Sequence, residues 1–433
     1  MNAKYIDRTL YTSHLITNWI WHHFLIRPVN KLLTNMNNLI IAIKSIPKKL
    51  TRVTRSGNFI GEIDGLRFLA IFPVVVQHLS ERLIRNTNIE FASNLKDDTV
   101  AYLASRGTVG VYIFFAISGF ILSLPFAKRF LNNQPAPNLK QYFFRRLTRL
   151  EPPYILVMTG LFVVLLIKGD YVITELLPHL GASLLYIHNI TYADYPVINP
   201  VAWSLEIEIQ FYILAPFLAK FIFSIHKKLL RRSVIIGSIF VFISLQHIFS
   251  WAHMPYKITI LGQLQYFLAG FLVTDIFLNE WQNKITKNWI WDIIAVSSFY
   301  LLLITWSADY GKNLFFIVLI FLLLISVFKS TFVNKLLTAP WIVAIGGMCY
   351  TIYLIHLPLL ELVIVFTKKI EITNIFWINL TVQFCIAAPI ILGISIWFYL
   401  KVEKPCMDKD WIKKIQFPII HKFIKHHFSH KKQ

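Results

Sequence analysis

The sequence has 433 residues, of which 56% are hydrophobic and 15% charged, and its mean hydropathy is +0.57. Apolar stretches of about 18 or more residues, long enough to cross a bilayer, recur along nearly the whole chain. This composition excludes an ordinary soluble protein and predicts an all-α, polytopic bundle of transmembrane helices. The apolar runs are continuous rather than alternating, which disfavours a β-barrel.

The formal net charge of +21 is concentrated in four segments. Nine Lys and Arg residues fall in 1–62, six in 128–149, four in 223–232 and nine in 401–433. Threading about ten helices through the membrane puts all four segments on one side, which predicts that both termini are cytoplasmic. The charge therefore indicates contact with anionic lipid headgroups rather than with nucleic acid.

We predict ten spanning helices, whose boundaries are uncertain by several residues. They lie at about 63–84, 107–127, 151–168, 199–222, 233–251, 258–278, 289–307, 313–328, 341–366 and 374–400. Residues 170–198 are apolar but interrupted by Pro, His, Asn and Asp. We expect a re-entrant or surface helix there on the outer side, because an extra span would invert the charge bias downstream.

The chain divides into a basic cytoplasmic extension over residues 1–60, a membrane domain over 61–406 and a basic cytoplasmic tail over 407–433. Within the extension, 17–33 predicts either an interfacial amphipathic helix or a partly ordered basic segment. The basic residues are spread, and no short apolar core precedes a cleavage site, so we expect no signal peptide. The three cysteines have no metal-ligand spacing, and we expect no metal site.

Arg67 and His78 interrupt the first apolar run. Ionisable groups at bilayer depth are costly and usually functional. Eleven residues make close to three turns, so the two side chains share a helix face at an axial separation of roughly 16 Å. An arginine that reaches the interface and a core histidine are the ordinary alternatives. Imidazole is nevertheless the natural general base near neutral pH and also serves as a nucleophile.

A polar stripe runs along the predicted helix at 199–222, where Ser204, Glu208 and Tyr212 recur every four residues. If this helix begins at the outer face, Glu208 lies at a depth comparable to that of His78. A carboxylate beside the imidazole favours its charged form, and a pair between these two groups is geometrically allowed. The alternative is that these groups only join helices together.

Three arginines, Arg145, Arg146 and Arg149, precede the third helix on the cytoplasmic side. Arg146 and Arg149 share a face, and paired guanidinium groups suit bidentate phosphate binding. Ordinary positive-inside flanking is the simpler explanation of these residues by themselves. The Pro152-Pro153 pair that follows fits a helix start.

Two further segments place polar or small residues inside apolar helices. Ser118 and Gly119 allow close helix approach. Tyr353 and His356 are neighbours three residues apart, so they can line one cavity. For Ser118 packing is the favoured explanation, whereas for His356 packing and function are equally compatible with the sequence.

Taken in order, these motifs resemble those of the acyltransferase-3 family of membrane acyltransferases over about residues 60–406. The matching residues are Arg67 and His78, the "FFAISGF" segment at 114–120, Arg146 and Arg149, Trp203, Ser204, Leu205, Glu208, Phe211 and Tyr212, Tyr350, Tyr353, Leu354, His356 and Pro358, and Glu403-Lys404-Pro405. Each motif alone is weak, and their order and spacing make the resemblance specific.

The resemblance implies an O-acyltransferase that moves an acyl group, often acetyl, from cytoplasmic acyl-CoA to a hydroxyl of a carbohydrate such as lipopolysaccharide or another surface glycan. It implies that His78 is catalytic, with Arg67 essential beside it and Glu208 as its carboxylate. It also makes Arg146 and Arg149, with Arg145, ligands of the coenzyme A phosphates, which reverses the simpler explanation above. The expected substrate contacts are Ser118, Trp203, Ser204, Tyr353 and His356.

The predicted mechanism has His78 deprotonate an acceptor hydroxyl that attacks the thioester, with a transient acyl-histidine as the alternative route. The predicted location is the cytoplasmic membrane of a bacterium. Some family members carry an additional esterase-like domain, and we expect this chain to deliver its acyl group directly or through a separate partner. The alternative function is a transporter or flippase whose intramembrane charges bind a solute or relay protons.

Overall fold

A computed structural model describes residues 44–52, 59–87, 98–281 and 285–408. These residues form helices and no strands. Eight of the helices are long and apolar enough to cross a membrane. The predicted class, an all-α polytopic membrane protein, is therefore confirmed.

The chain divides into two units, residues 1–51 and 52–433. The described part of the first unit is a short helix over residues 44–50. The predicted interfacial helix at 17–33 and nearly all of the predicted tail at 407–433 lie outside the described residues. All the helices named below belong to the second unit.

Sixteen α-helices follow in chain order from residue 61. They are α1 (Gly61–Asn86), α2 (Thr99–Ala104), α3 (Val109–Leu131), α4 (Leu139–Lys168), α5 (Ile173–Leu184), α6 (His188–Tyr192), α7 (Trp203–Phe223), α8 (Lys228–Ile248), α9 (Ile260–Glu280), α10 (Ile290–Thr305), α11 (Tyr310–Lys329), α12 (Phe332–Leu337), α13 (Pro340–Gly347), α14 (Cys349–Thr367), α15 (Phe376–Phe398) and α16 (Lys404–Cys406). A π-helical turn, Tyr399–Glu403, joins the last two.

Every one of the ten predicted spans coincides with a helix or a pair of helices. The eight candidates include neither α7 nor α10. The 21-residue α7 carries Glu206, Glu208 and Lys220 among its apolar residues, and α10 has only 16 residues. Charged groups are thus tolerated in α7, where they face other helices rather than lipid, and Glu206 is completely buried.

The predicted start of the third span at Pro152-Pro153 is wrong, because α4 already begins at Leu139 and runs through both prolines. Proline in a helix interior removes a backbone donor, and membrane helices tolerate this where neighbouring groups satisfy the backbone. Tyr350 on α14 supplies such a contact by donating its hydroxyl to the carbonyl of Leu150 at 2.8 Å. The basic segment is consequently helical, and its arginines are held on a rigid element.

The predicted continuous span over 341–366 is also wrong, because the chain breaks at Met348 into α13 and α14. α13 packs closely against α1, and a Cβ on Gly346 would lie 1.7 Å from the carbonyl oxygen of Asp64. Only glycine permits that approach of two backbones. The break lets α14 start in a new direction with His356 facing α1.

Residues 170–198 form two short helices, α5 of 12 residues and α6 of five. At 1.5 Å per residue, α5 is about 18 Å long, too short for a hydrocarbon core of about 30 Å. The expectation that this segment is not a full span is therefore confirmed. It also carries Tyr154 of α4, whose hydroxyl donates to the carbonyl of Ser183 at 3.0 Å.

The centre of the bundle is the contact between α3 and α9. A Cβ on Gly119 would lie 2.1 Å from the carbonyl oxygen of Phe267, so the predicted close approach at this position is confirmed. Gly110 makes a similarly close contact with Ala70 of α1. α3 is thereby fixed between α1 and α9, and its remaining faces border the cavities described next.

Candidate active site

Two cavities meet at Arg67, whose side chain lines both of them. The first, which we call the small cavity, has a volume of about 110 Å³. Its polar lining consists of Arg67, Ser118, Arg149, Ser204, Glu208, Tyr212, Tyr350 and Tyr353, with Cys349 beside them. The second, the basic cavity, has a volume of about 540 Å³. Its polar and charged lining consists of Arg52, Asp64, Arg67, Lys128, Gln134, Asn138, Gln141, Tyr142, Arg145 and Arg146.

Arg67 is held in place by Asp64, one turn earlier on α1. Its guanidinium donates to Asp64 Oδ1 at 2.5 Å, and Arg52 donates to the same oxygen at 3.2 Å. Burial first, then the positive charge of Arg149, lowers the pKa of Arg52, and the Asp64 carboxylate opposes that shift. One carboxylate thus neutralises only part of the charge here, which leaves the junction of the two cavities positive.

The basic cavity contains two of the three predicted arginines. Arg146 lies flat on the ring of Tyr142, with its Cζ 3.8 Å from the ring centroid, and donates to the Tyr142 carbonyl at 3.2 Å. Arg145 is exposed and donates to Gln141 at 3.2 Å. With Arg52, Arg67 and Lys128, five basic side chains face one space. Such a cluster suits a ligand with several phosphate charges.

Arg149, in contrast, lines the small cavity. It donates to Glu403 Oε1 at 3.2 Å, and Thr351 donates to the other oxygen of that carboxylate at 2.6 Å. The Glu403 side chain is completely buried. The expectation that Arg146 and Arg149 act as one pair is therefore wrong, because the second arginine is neutralised inside the bundle. Sequence reasoning missed Glu403 as a site residue, although its Glu-Lys-Pro motif marked the position.

Glu208 accepts hydrogen bonds from Ser118 at 2.8 Å and from Tyr212 at 2.5 Å. These bonds join α3 to α7 across the small cavity. The predicted pair of Glu208 with His78 is wrong, because the histidine lies on the side of α1 that faces α14. Ser118 does more than permit close packing, since its hydroxyl fixes the carboxylate.

The partner of His78 is His356, with Nδ1 of the first 2.8 Å from Nε2 of the second. His356 is completely buried. Its own Nδ1 lies 2.7 Å and 3.0 Å from the backbone carbonyls of Tyr353 and Ile352. A carbonyl only accepts, so His356 Nδ1 carries the hydrogen and its Nε2 is the acceptor. His78 Nδ1 must then donate, which leaves the lone pair on His78 Nε2 for chemistry.

Tyr353 connects this histidine pair to the small cavity. Its hydroxyl is 2.7 Å from that of Ser204, and its ring centroid is 5.8 Å from that of His356. The pair therefore lies one side chain beyond the cavity lining. Trp203 packs edge-on against Phe115, a lining residue, at 6.3 Å. It supports the cavity wall rather than forming it.

The arrangement separates three chemical tasks along one path. A large basic cavity can bind phosphates, a small cavity admits a short chain of atoms, and a histidine oriented by a second histidine can accept a proton. For scale, a cavity of about 150 Å³ holds one benzene molecule. Among the described residues, no group of three or more His, Cys, Asp or Glu side chains is placed to hold a metal ion.

Comparison with known proteins gives a family match over most of the chain. A family model described as "Acyltransferase domain" matches residues 60–400. No solved structure matches the chain significantly. The matched range contains every predicted site residue.

Curated relatives match the same region. A supposed O-acetyltransferase of Staphylococcus aureus (strain COL) is 27% identical over 338 residues, which is 70% of this chain and 51% of the relative. O-acetyltransferase OatA of Staphylococcus aureus (strain NCTC 8325 / PS 47) is 25% identical over 71% of this chain and 52% of the relative. Peptidoglycan O-acetyltransferase OatA of Listeria monocytogenes is 31% identical over 44% of this chain and 29% of the relative. The chain thus spans about half the length of the curated relatives it matches.

Proposed function

This chain belongs to the acyltransferase-3 family, and we propose that it is an integral membrane O-acetyltransferase that moves an acetyl group from cytoplasmic acetyl-CoA to a hydroxyl of a bacterial surface glycan. The observation that carries the proposal is the meeting of the basic cavity and the small cavity at Arg67. A nucleotide-bearing thioester has the same two parts, a cluster of phosphates and a narrow arm that ends in the reactive group.

In this proposal the coenzyme A phosphates bind in the basic cavity to Arg146, Arg145, Lys128 and Arg52. The pantetheine arm passes Arg67 and places the thioester in the small cavity. The larger volume of the basic cavity, about 540 Å³ against about 110 Å³, favours this orientation. Typical ligand pockets range from about 300 to 1,000 Å³, which the basic cavity satisfies.

The transfer itself uses the free lone pair on His78 Nε2. The acceptor hydroxyl gives its proton to this nitrogen, and its oxygen attacks the thioester carbonyl carbon. The carbon–sulfur bond then breaks, and the proton passes from His78 to the departing thiolate. His356 stabilises the imidazolium formed in between by accepting its Nδ1–H. A route through an acetyl-histidine, in which Nε2 attacks the thioester first, uses the same two residues.

The basic end of the bundle faces the cytoplasm in this proposal, in agreement with the positive-inside rule. The acceptor then approaches from the opposite side, where α1 ends beyond His78. The Listeria relative is named for peptidoglycan, so peptidoglycan fragments are the first acceptors to test, with lipopolysaccharide as the second. The proposed location is the cytoplasmic membrane of a bacterium.

A direct test uses the purified protein in lipid nanodiscs with acetyl-labelled acetyl-CoA and each glycan. We expect the label to move to glycan hydroxyls and to become removable by mild base, as esters are. A protein that leaves every glycan unlabelled, yet moves a charged solute across vesicle membranes, is a transporter and contradicts the proposal.

Arg146→Ala is expected to raise the KM for acetyl-CoA by about tenfold or more with little change in kcat, because a hydrogen bond to a charged group contributes about 1.5–3 kcal/mol. Initial rates over a range of acetyl-CoA concentrations measure both constants. Arg129→Ala is the matched control, since Arg129 is exposed near the same end but does not line the basic cavity.

A second donor identifies the phosphates as the cause. S-acetylpantetheine has the thioester but lacks the nucleotide, so the wild-type protein and Arg146→Ala should use it equally well. An equal loss with both donors contradicts phosphate binding by Arg146 and points to a structural effect.

A further inference from the structure

A third cavity, of about 310 Å³, lies on the other side of α3 from the small cavity. Its walls come from α3, α8, α9 and α11, and its rim from the loops after α8 and α10. These loops are at the same end of the bundle as His78, because Thr108 at the start of α3 donates to Gln77. We call this space the amide cavity, and neither the proposed donor path nor the histidine pair uses it.

One wall of the amide cavity is aromatic. Tyr112 stacks on Tyr266 with ring centroids 4.8 Å apart and on Trp306 at 6.0 Å. Arg106 lies over the outer side of Trp306, with its Cζ 5.1 Å from the ring centroid, and fixes the indole further by donating to backbone carbonyls of the same loop. The stack therefore presents a rigid apolar surface next to the solvent-facing rim.

The opposite wall carries amides with unused acceptor atoms. Gln246 spends its amide hydrogens on the carbonyls of Leu261 and Gln265, each at 2.8 Å. Gln263 donates to the carbonyl of Lys257 at 2.6 Å. The carbonyl oxygens of Gln246 and Gln263 are left buried without a hydrogen-bond partner, and the two residues are only 1% and 4% exposed. Buried acceptors without partners are rare and costly, so each calls for a donor.

We propose that the amide cavity binds one sugar ring of the acceptor glycan, apart from the ring that is acetylated at His78. Sugar hydroxyls donate to the two free carbonyl oxygens, and the apolar face of the ring stacks on the Tyr112–Trp306 wall. A phosphate or carboxylate ligand is disfavoured because these oxygens accept and do not donate. A lipid chain is disfavoured because it satisfies neither oxygen. The inference rests on the proposed function in that the acceptor is a glycan.

The two sites are close enough in the fold to serve one polymer. Tyr112 and Phe114 lie within one turn of α3, the first facing the amide cavity and the second the small cavity. A glycan chain that crosses the start of α3 therefore reaches both. Binding one ring in the amide cavity holds the polymer while another ring enters the transfer site, so long acceptors should be preferred to single sugars.

The test measures sugar binding without any acyl donor, by ligand-observed NMR with chitotriose and maltotriose on the full-length protein in nanodiscs. We expect Gln246→Leu and Gln263→Leu each to weaken binding by about tenfold, and Trp306→Ala to weaken it at least as much. Trp377→Ala is the matched control, because this tryptophan is 49% exposed at the start of α15.

Ser307→Trp offers a variant that leaves the buried helices unchanged, since Ser307 lies in the rim loop and an indole there fills the cavity. We expect it also to abolish binding. Binding that survives in all four cavity variants, or no binding by the folded wild type up to about 10 mM sugar, overturns the inference. Failure of the proposed function is a separate result, namely absence of acetyl transfer from acetyl-CoA while the sugar still binds.

Discussion

Replacing His78 with alanine is expected to lower the rate of acetyl transfer by about 10²- to 10⁴-fold, the range that general acid–base catalysis contributes. The substitution removes the nitrogen whose lone pair is left free by the bond to His356, at 2.8 Å. Transfer of labelled acetyl to glycan measures the rate, and the amount of protein in the membrane fraction shows whether the variant accumulates normally. Transfer at the wild-type rate by His78→Ala contradicts the assignment.

His226→Ala is the matched control for this experiment, because that histidine is exposed in the loop between α7 and α8. Its removal should leave the rate unchanged. Variants of His356 test the orientation of the catalytic nitrogen: His356→Gln keeps a carbonyl oxygen that can accept from His78 Nδ1–H, and His356→Ala does not. We therefore expect the glutamine variant to retain more activity than the alanine variant. The reverse order contradicts the proposed tautomer.

Arg67→Ala is expected to lower kcat/KM for acetyl-CoA by about 100-fold, since it removes a charge that both cavities share. A hydrogen bond to a charged group contributes about 1.5–3 kcal/mol, and each 1.4 kcal/mol corresponds to a factor of ten. Arg67→Lys should recover part of the loss because lysine keeps the charge but lacks the planar, two-pronged donor. Steady-state kinetics with labelled acetyl-CoA measure the effect.

Arg85→Ala serves as the control for Arg67→Ala, because it removes an arginine from the other end of the same helix. Arg85 is 66% exposed and 3.6 Å from Glu361, so little loss of activity is expected from an exposed ion pair. Equal losses in both variants indicate a general effect on α1. An unchanged kcat/KM in Arg67→Ala contradicts a role for this residue in the donor path.

The architecture was predictable because the membrane imposes it. A chain that crosses hydrocarbon must satisfy its backbone hydrogen bonds internally, so long apolar segments become helices. The two errors of helix continuity, at Pro152-Pro153 and at Met348, both depend on neighbours. In the first, Tyr350 satisfies the carbonyl of Leu150. In the second, Gly346 meets the backbone of Asp64.

The members of the candidate site were also visible in the sequence, because Arg67, His78 and Glu208 interrupt apolar segments where charge is expensive. Their partners were not visible. A helical periodicity shows which residues share a face, but it does not show how each helix is rotated against its neighbours. Glu208 therefore paired in the structure with Ser118 rather than with His78, and Arg149 paired with Glu403 rather than with the predicted phosphate ligand.

The sequence by itself determined the class of the molecule, the positions of its helices and most residues of the candidate site, since these depend on local hydrophobicity and on the cost of burying charge. The tertiary structure decided which of those residues meet. It joined His78 to His356 across 278 residues of chain, divided the arginines between two cavities, and left two glutamine oxygens without partners in a third. Such contacts arise from the packing and rotation of whole helices, which no local pattern encodes.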